Sequence, residues 1–482
     1  MHVRIAVVGA GFGGLGTAIR LKRRGFDDFV VLERAGSLGG TWRDNVYPGC
    51  ACDVPSHLYS FSFAPNPNWS RSFSAQQEIW DYLEHCADRF DVRRYLRFDT
   101  EVRRAAWDEA AQRWHIETSR GDYTADVLVS AAGSLNEPSV PKFAGLETFQ
   151  GAMFHSARWD HGHDLARRRV AVVGTGASAI QFVPEIQPKV AKLSVFQRTP
   201  PWVMPRGERA MSEVEHGLYR RFPVLQRLMR LGIYWARELY AIGFLKPRVM
   251  RTAQRLAEAN LAKAVSDPRL RAKLTPRYAM GCKRILLSNT YYPALIRDNV
   301  EVVTEKIVEI RPRGIVTADG VEHPVDTIIF GTGFRVTDLP IAERVHGRDG
   351  RTLAEVWQGS PKAYRGTTVA GFPNLFLLLG PNTGLGHTSV VFMIESQIAY
   401  LLDALRLMRR GTIRVVEPEL RAQQRFVAAV DRRMATTVWA TGGCRSWYMD
   451  ATGRNSTLWP GFTWRYRQRM RRFDLDAYRV LP

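Results

Sequence analysis

Two segments of this chain repeat one plan: an apolar strand runs straight into a glycine-rich turn and then a helix. The first is Val3-Arg4-Ile5-Ala6-Val7-Val8 followed by Gly9-Ala10-Gly11-Phe12-Gly13-Gly14. The second is Arg169-Val170-Ala171-Val172-Val173 followed by Gly174-Thr175-Gly176-Ala177-Ser178-Ala179. Such β-branched apolar runs read as strands buried on both faces of a parallel sheet. The turn then aims the first amides of a helix, and the positive end of its dipole, at a phosphate. In the G-x-G-x-x-G fingerprint the first glycine makes the tight turn. The second lets backbone approach a pyrophosphate, and the third lets the helix pack closely on the sheet, where alanine also serves. Gly9, Gly11 and Gly14 fill these places in the first segment, and Gly174, Gly176 and Ala179 in the second. The repeat predicts an α/β fold with two Rossmann-like dinucleotide-binding domains.

The strands that follow differ in one informative way. Phe29-Val30-Val31-Leu32 ends at Glu33, about 20 residues past the glycines, where a carboxylate accepts from a ribose hydroxyl. That suits the adenosine ribose of FAD. Leu193-Ser194-Val195-Phe196 ends instead in Gln197-Arg198-Thr199. An acid there would repel a 2′-phosphate, whereas Arg198 would pair with it, so the second loop reads as an NADPH site. Two such sites in one chain imply hydride transfer from nicotinamide to flavin.

Two further apolar strands, Ala125–Gly133 and Val325–Phe334, resemble each other and bracket the second loop. They mark where the chain passes from one nucleotide domain to the other. The expected order is therefore a first part of the FAD domain (1–140), an inserted NADPH domain (150–325) with a helical insertion (207–275), and a second FAD part with the C-terminal segment (326–482). In the second part, a buried strand within 373–382 precedes a long helix from about Val390 to Met408, whose start is expected near the flavin.

The chain's 482 residues allow two or three domains at about 150 residues each. The N-terminus lacks the order of a signal peptide, and no apolar run is long enough to span a bilayer. The five cysteines (Cys50, Cys52, Cys86, Cys282, Cys444) are few and scattered and read as free thiols in a reducing cytoplasm; no metal set emerges. The net charge of +21 favours anionic partners, but no nucleic-acid-binding motif accompanies it. Phosphorylated cofactors and an anionic membrane surface account for it more simply. The insertion places Arg227, Arg230 and Arg237 among apolar residues of Leu225–Leu245. Substrate-pocket helices are the favoured reading there, with an interfacial membrane helix as the second. The tail Arg465–Arg472 reads as a solvated basic face. Monomer and homodimer both stay open.

Longer patterns narrow the class. Gly39-Gly40-Thr41-Trp42-Arg43-Asp44-Asn45-Val46-Tyr47-Pro48-Gly49-Cys50-Ala51-Cys52-Asp53 resembles the pattern G-G-x-W-x-x-x-x-[FY]-P-[GM]-x-x-x-D. Phe149–Asp160 matches F-x-G-x-x-x-H-x-x-x-W-[PD] through Phe149, Gly151, His155, Trp159 and Asp160. Cys282-Lys283-Arg284, followed by Asn289-Thr290-Tyr291-Tyr292, is similar to a segment bearing an active-site arginine. Together these resemble the type I Baeyer–Villiger monooxygenases of the flavin-containing monooxygenase superfamily. Ser446-Trp447-Tyr448 and Gly453–Gly461 resemble the acetophenone-type subgroup.

The resemblance implies a monooxygenase that consumes NADPH and O2. It would insert one oxygen atom beside a ketone carbonyl through a flavin peroxide, giving an ester or lactone. N- or S-oxygenation on the same fold is the alternative. Arg284 would be the catalytic cation and Asp53 its acidic neighbour. FAD contacts would come from Gly9, Gly11, Phe12, Gly14, Glu33, Gly40, Thr41, Trp42, Asp53 and Tyr59. Those to NADPH would come from Gly174, Gly176, Ser178, Ala179, Arg198, Thr199 and Lys283. His155 reads as a satisfied structural histidine rather than a base, and Phe149 and Trp159 as packing residues.

Overall fold

The computed structural model describes all 482 residues. Strand His2–Val8 lies in the middle of the first sheet, parallel to Phe29–Leu32 on one side and Tyr123–Ser130 on the other, with Val7 opposite Val31 and Val129. Their apolar stretches, Ile5–Val7, Phe29–Leu32 and Val127–Val129, are buried on both faces. Val102–Asp108 and Arg113–Thr118 extend the sheet as antiparallel neighbours. Helix Phe12–Lys22 covers one face and packs against the long helix Val390–Arg409.

The second sheet has five strands, all parallel, in the order Val300–Val303, Lys192–Phe196, Arg169–Val173, Thr327–Phe330, Ala152–His155. Each phosphate-loop strand thus sits centrally, beside the strand that bears the acid or arginine end. At both loops the first glycine takes a left-handed conformation, with φ 98° at Gly9 and 106° at Gly174. Gly14 has no room for a side chain: a Cβ there would lie 1.7 Å from the Gly9 carbonyl oxygen.

The expected boundary between 325 and 326 needs correcting. Strand Thr327–Phe330 belongs to the second sheet, in register with both Val170–Val173 and Ala152–His155. Its likeness to 125–133 reflects an equivalent place in each sheet, next to the phosphate-loop strand. The chain returns to the first layer only afterwards, through Val345–His346 beside Ala105–Ala106 and through Leu375–Leu377 beside Leu128–Ser130. Hydrogen bonds between layers tie them together: Gln181 donates to the Ala51 carbonyl at 2.9 Å and accepts from the Tyr47 hydroxyl at 3.0 Å.

The insertion forms helices Glu213–Arg221, Pro223–Leu245, Pro247–Ala264 and Pro268–Leu274. Prolines open three of them, where a missing N–H costs nothing. Ser212 and Glu215 make a capping box at the first. Helix Pro223–Leu245 is anchored by Glu238, which accepts from the Thr463 amide and hydroxyl and lies 3.3 Å from His387 Nε2. Tyr234 stacks on Phe392 with ring centroids 4.8 Å apart.

Two further expectations change. Cys282 and Cys444 are joined in a disulfide, with Cα atoms 6.1 Å apart. They are 162 residues apart in sequence, and only spatial proximity of their Cβ vectors could have revealed the pair. The cysteines therefore no longer argue for a reducing compartment. The tail is also not a uniformly solvated face: Tyr466 and Met470 are fully buried, and Arg467 lies over the Phe392 ring at 4.9 Å. No helix is long and apolar enough to cross a membrane.

Candidate active site

Both phosphate loops open into one cavity of about 1250 Å³, larger than the roughly 300–1,000 Å³ of a single-ligand pocket. It lies beyond the carboxyl ends of the central strands, where open α/β sheets bind their ligands. Gly9, Gly11, Phe12, Glu33, Gly40, Thr41, Trp42, Asp53 and Tyr59 line it from the first layer. Gly174, Gly176, Ser178, Arg198, Thr199, Lys283 and Arg284 line it from the second. Gly14 and Ala179 do not. Both were expected as cofactor contacts, yet Gly14 packs on the Gly9 carbonyl and Ala179 on Gly331. In each helix the third position of the fingerprint faces the sheet.

The first loop is a backbone cradle: a Cβ on Gly40 would stand 3.1 Å from the Gly11 Cα. Glu33 is positioned by the Ala10 amide at 2.8 Å, the Ala35 amide at 3.0 Å and Arg43 at 3.1 Å. The sequence reading missed Arg43, which fixes the carboxylate from ten residues away. Trp42 donates its indole N–H to the Tyr59 hydroxyl at 3.1 Å, and Phe12 meets the Tyr59 ring edge-on at 5.2 Å.

The second loop faces two cations. Arg198 is exposed and makes no ion pair, and the Lys283 ammonium sits 5.1 Å from the centre of the Tyr278 ring. Burial, and then the charge of Arg198, push the Lys283 ammonium pKa down. Two like charges held together without a carboxylate make an anion site.

Between the loops, Arg284 and Asp53 form a two-pronged pair, Nε to Oδ2 at 2.6 Å and Nη2 to Oδ1 at 2.7 Å. Burial alone would raise the Asp53 carboxyl, but the charge and hydrogen bonds of Arg284 outweigh it and hold the group below the usual carboxylate range. Arg284 is pushed up despite its own burial, by the same partner. The two side chains keep 28% and 26% of their surface accessible, so the pair can meet a ligand.

Around the pair stand groups that sequence reasoning had not assigned to the site. Arg206 donates to the Cys52 carbonyl at 2.9 Å, bracing the residue before Asp53. The phenol of Tyr448 is buried beside Arg284 without a hydrogen-bond partner; burial, against the pull of Arg284, takes its pKa up to about 12. The insertion, favoured as pocket-forming, contributes no lining residue. Arg237 comes within electrostatic range of Asp53 and Arg284. The C-terminal segment takes that place with Trp447, Ser456, Thr457 and Leu458.

The donor set can be tested for fit to two phosphorylated ligands. Thr388, Ser456 and Thr457 line this cavity, and their hydroxyls are buried without partners. Buried polar groups in proteins are nearly always satisfied, so these point to a polar ligand. The glycine cradle and the two unpaired cations fit dinucleotide phosphates in the same way.

The chain from residue 2 to residue 346 matches the family model for flavin-binding monooxygenase-like proteins. A Baeyer–Villiger monooxygenase of Streptomyces coelicolor is 59% identical over 483 aligned residues, covering 100% of this chain and 93% of that one. One from Pseudomonas aeruginosa is 52% identical, covering 99% and 92%. This chain is a flavin-binding monooxygenase of the Baeyer–Villiger type. Among solved structures, an oxidised steroid monooxygenase bound to NADP matches with a TM-score of 0.88 and 32% identity, covering both chains fully. OTEMO in complex with FAD and NADP matches with a TM-score of 0.90 and 27% identity, over 99% of each chain.

His155, a landmark of this family's second pattern, does not line the cavity. It is buried, and its Nδ1 accepts from the Ala157 amide at 3.1 Å. Trp159 packs edge-on against Phe154 at 5.2 Å, and Phe149 is buried against the second sheet. Burial lowers the His155 pKa from 6.5 to about 4. A depressed histidine favours the folded state above the unfolded pKa, and its contribution is lost as pH falls from about 6.5 toward 4. Between pH 7 and pH 5 the wild type should lose about 2 kcal/mol through this group. Urea unfolding of His155→Asn, which keeps an acceptor for Ala157 but does not titrate, should show a correspondingly flatter pH dependence. Parallel pH curves for the two proteins would refute this.

Proposed function

We propose that this enzyme uses FAD and NADPH to convert a ketone into an ester or lactone. The overall balance is ketone, O2, NADPH and a proton giving ester, water and NADP+. A bound flavin passes electrons from the nicotinamide to O2; the protein's task is to place and stabilise. The observation that carries the reading is the Arg284–Asp53 pair, which lines the cavity that both phosphate loops open into.

Arg284 keeps its charge at any working pH, so it offers a fixed cation where negative charge gathers on oxygen before attack on a carbonyl. Asp53 orients the guanidinium and limits its motion through the two-pronged contact. Glu33 and the Gly9–Gly11–Gly40 cradle suit the FAD ribose and pyrophosphate. Arg198 and Lys283 suit the 2′-phosphate that distinguishes NADPH from NADH. Apolar groups on the same cavity wall, among them Leu385 and Leu458, would limit the access of water to the reacting centre.

The test is a single turnover: anaerobic mixing with NADPH, then ¹⁸O2 and a panel of aryl, cyclic and steroidal ketones. An ester or lactone carrying one labelled oxygen is expected for at least one of them. Sulfoxides as the sole products, or hydrogen peroxide with every ketone, would overturn the proposal.

A further inference from the structure

Helix Pro223–Leu245 carries two apolar faces where a surface helix ordinarily carries one. One face, with Tyr234, Ala241 and Phe244, is buried against the body of the protein. On the other, Val224, Leu228, Leu231, Trp235 and Leu239 recur at helical spacing, each 49–63% exposed. The preceding helix continues the apolar surface with Val214 and Leu218, and Phe222 stands at the joint. At about 1.5 Å per residue the stripe from Val224 to Leu239 runs about 22 Å.

Cations and aromatic rings frame it. A groove of about 600 Å³ beside the stripe is lined by Arg227, Arg230, Trp235, Trp464, Arg467 and Arg471 among others, with no acidic residue in its wall. None of these arginines makes a salt bridge, although Arg230 is tied to backbone carbonyls of the 57–58 turn. The only acid within Pro223–Leu245 is Glu238, buried on the opposite side, and 463–472 contains none. Glu395, whose charge acts on Arg230, is engaged by the Ser62 amide at 2.6 Å.

We infer that this face docks on an anionic lipid bilayer. Leu228, Leu231 and their neighbours would enter the acyl boundary, Trp235 and Trp464 would sit at headgroup depth, and Arg227, Arg467 and Arg471 would meet lipid phosphates. A second copy of the chain is a poor occupant. Pairing the face with itself would set the groove arginines against one another, with no acidic residue in the groove wall to pair them, in a protein of net charge +21. The inference is independent of the catalytic proposal, because docking is read by partition and not by turnover.

The flavin-loaded enzyme would be sedimented with vesicles of phosphatidylcholine alone or of equimolar phosphatidylcholine and phosphatidylglycerol, at about 0.1 M salt. Binding should be at least about tenfold tighter to the anionic vesicles and weaken as salt rises. Leu228→Glu with Leu231→Glu should reduce it by about tenfold or more, and so should Arg227→Ser with Arg471→Ser. Both doubly substituted proteins should keep full flavin content and normal turnover of a water-soluble ketone. Wild-type enzyme that stays in the supernatant, or binding that both double variants retain unchanged, would overturn the inference. So would a dimer in sedimentation equilibrium that Leu228→Glu with Leu231→Glu dissociates while vesicle binding is absent.

Discussion

Arg284→Ala is expected to abolish ester formation while leaving NADPH oxidation largely intact. The guanidinium is a permanent cation on the cavity wall, gripped by Asp53 through Nε and Nη2 at 2.6 and 2.7 Å. Removing a single preorganised group that stabilises developing negative charge costs about 10²–10³ in rate, and the charge here is a full one. Hydride transfer depends on the nucleotide sites, which the substitution does not touch. NADPH would therefore still be consumed, with O2 returned as hydrogen peroxide. Arg284→Lys should rescue little, because an ammonium lacks the planar fork that Asp53 grips. Product analysis alongside peroxide quantification separates these outcomes. Ester formation within a few-fold of wild type in Arg284→Ala would move the catalytic role elsewhere, with Lys283 and Tyr448 the nearest groups to examine.

The second large effect is expected at the 2′-phosphate. Arg198→Ala together with Lys283→Ala should lower kcat/KM for NADPH by about 100-fold or more and leave that for NADH almost unchanged. Hydrogen bonds to a charged partner contribute roughly 1.5–3 kcal/mol each, and each 1.4 kcal/mol is tenfold. Because Arg198 is exposed and screened by solvent, the lower end applies to it. Lys283, half-buried and pushed down in pKa by burial and by Arg198, should account for the larger share when changed singly. The loss should appear mainly in KM, and higher salt should narrow the gap between wild type and variant. An equal loss for NADPH and NADH would mean that these residues support the domain and do not read the phosphate.

What was legible in the chain was local. The two phosphate loops, the strands that feed them and the opposed ends at Glu33 and Arg198 lie within about 30 residues of each other in each half, the span of one βαβ unit. Backbone sterics and the missing Cβ of glycine act at that range, so strand Phe29–Leu32 and the helix beginning at Val390 stand where the residues placed them. Asp53 and Arg284 are 231 residues apart. No spacing rule joins them, and only the resemblance of their motifs to a known family put them in one site.

Tertiary packing decided the rest. Thr327–Phe330 is an apolar run that either sheet could have taken; its register with Arg169–Val173 assigned it to the second. Cys282 and Cys444 became a pair only when the arginine segment and the C-terminal segment met. The insertion has the composition of pocket helices, yet Glu238, meeting Thr463 and His387 in the interior, turned its other apolar stripe outward. Residues 456–458 filled the cavity wall instead. Local periodicity and glycine geometry are properties of neighbouring residues and can be read along the chain. Which apolar face finds a partner depends on shapes that exist only once distant elements have packed.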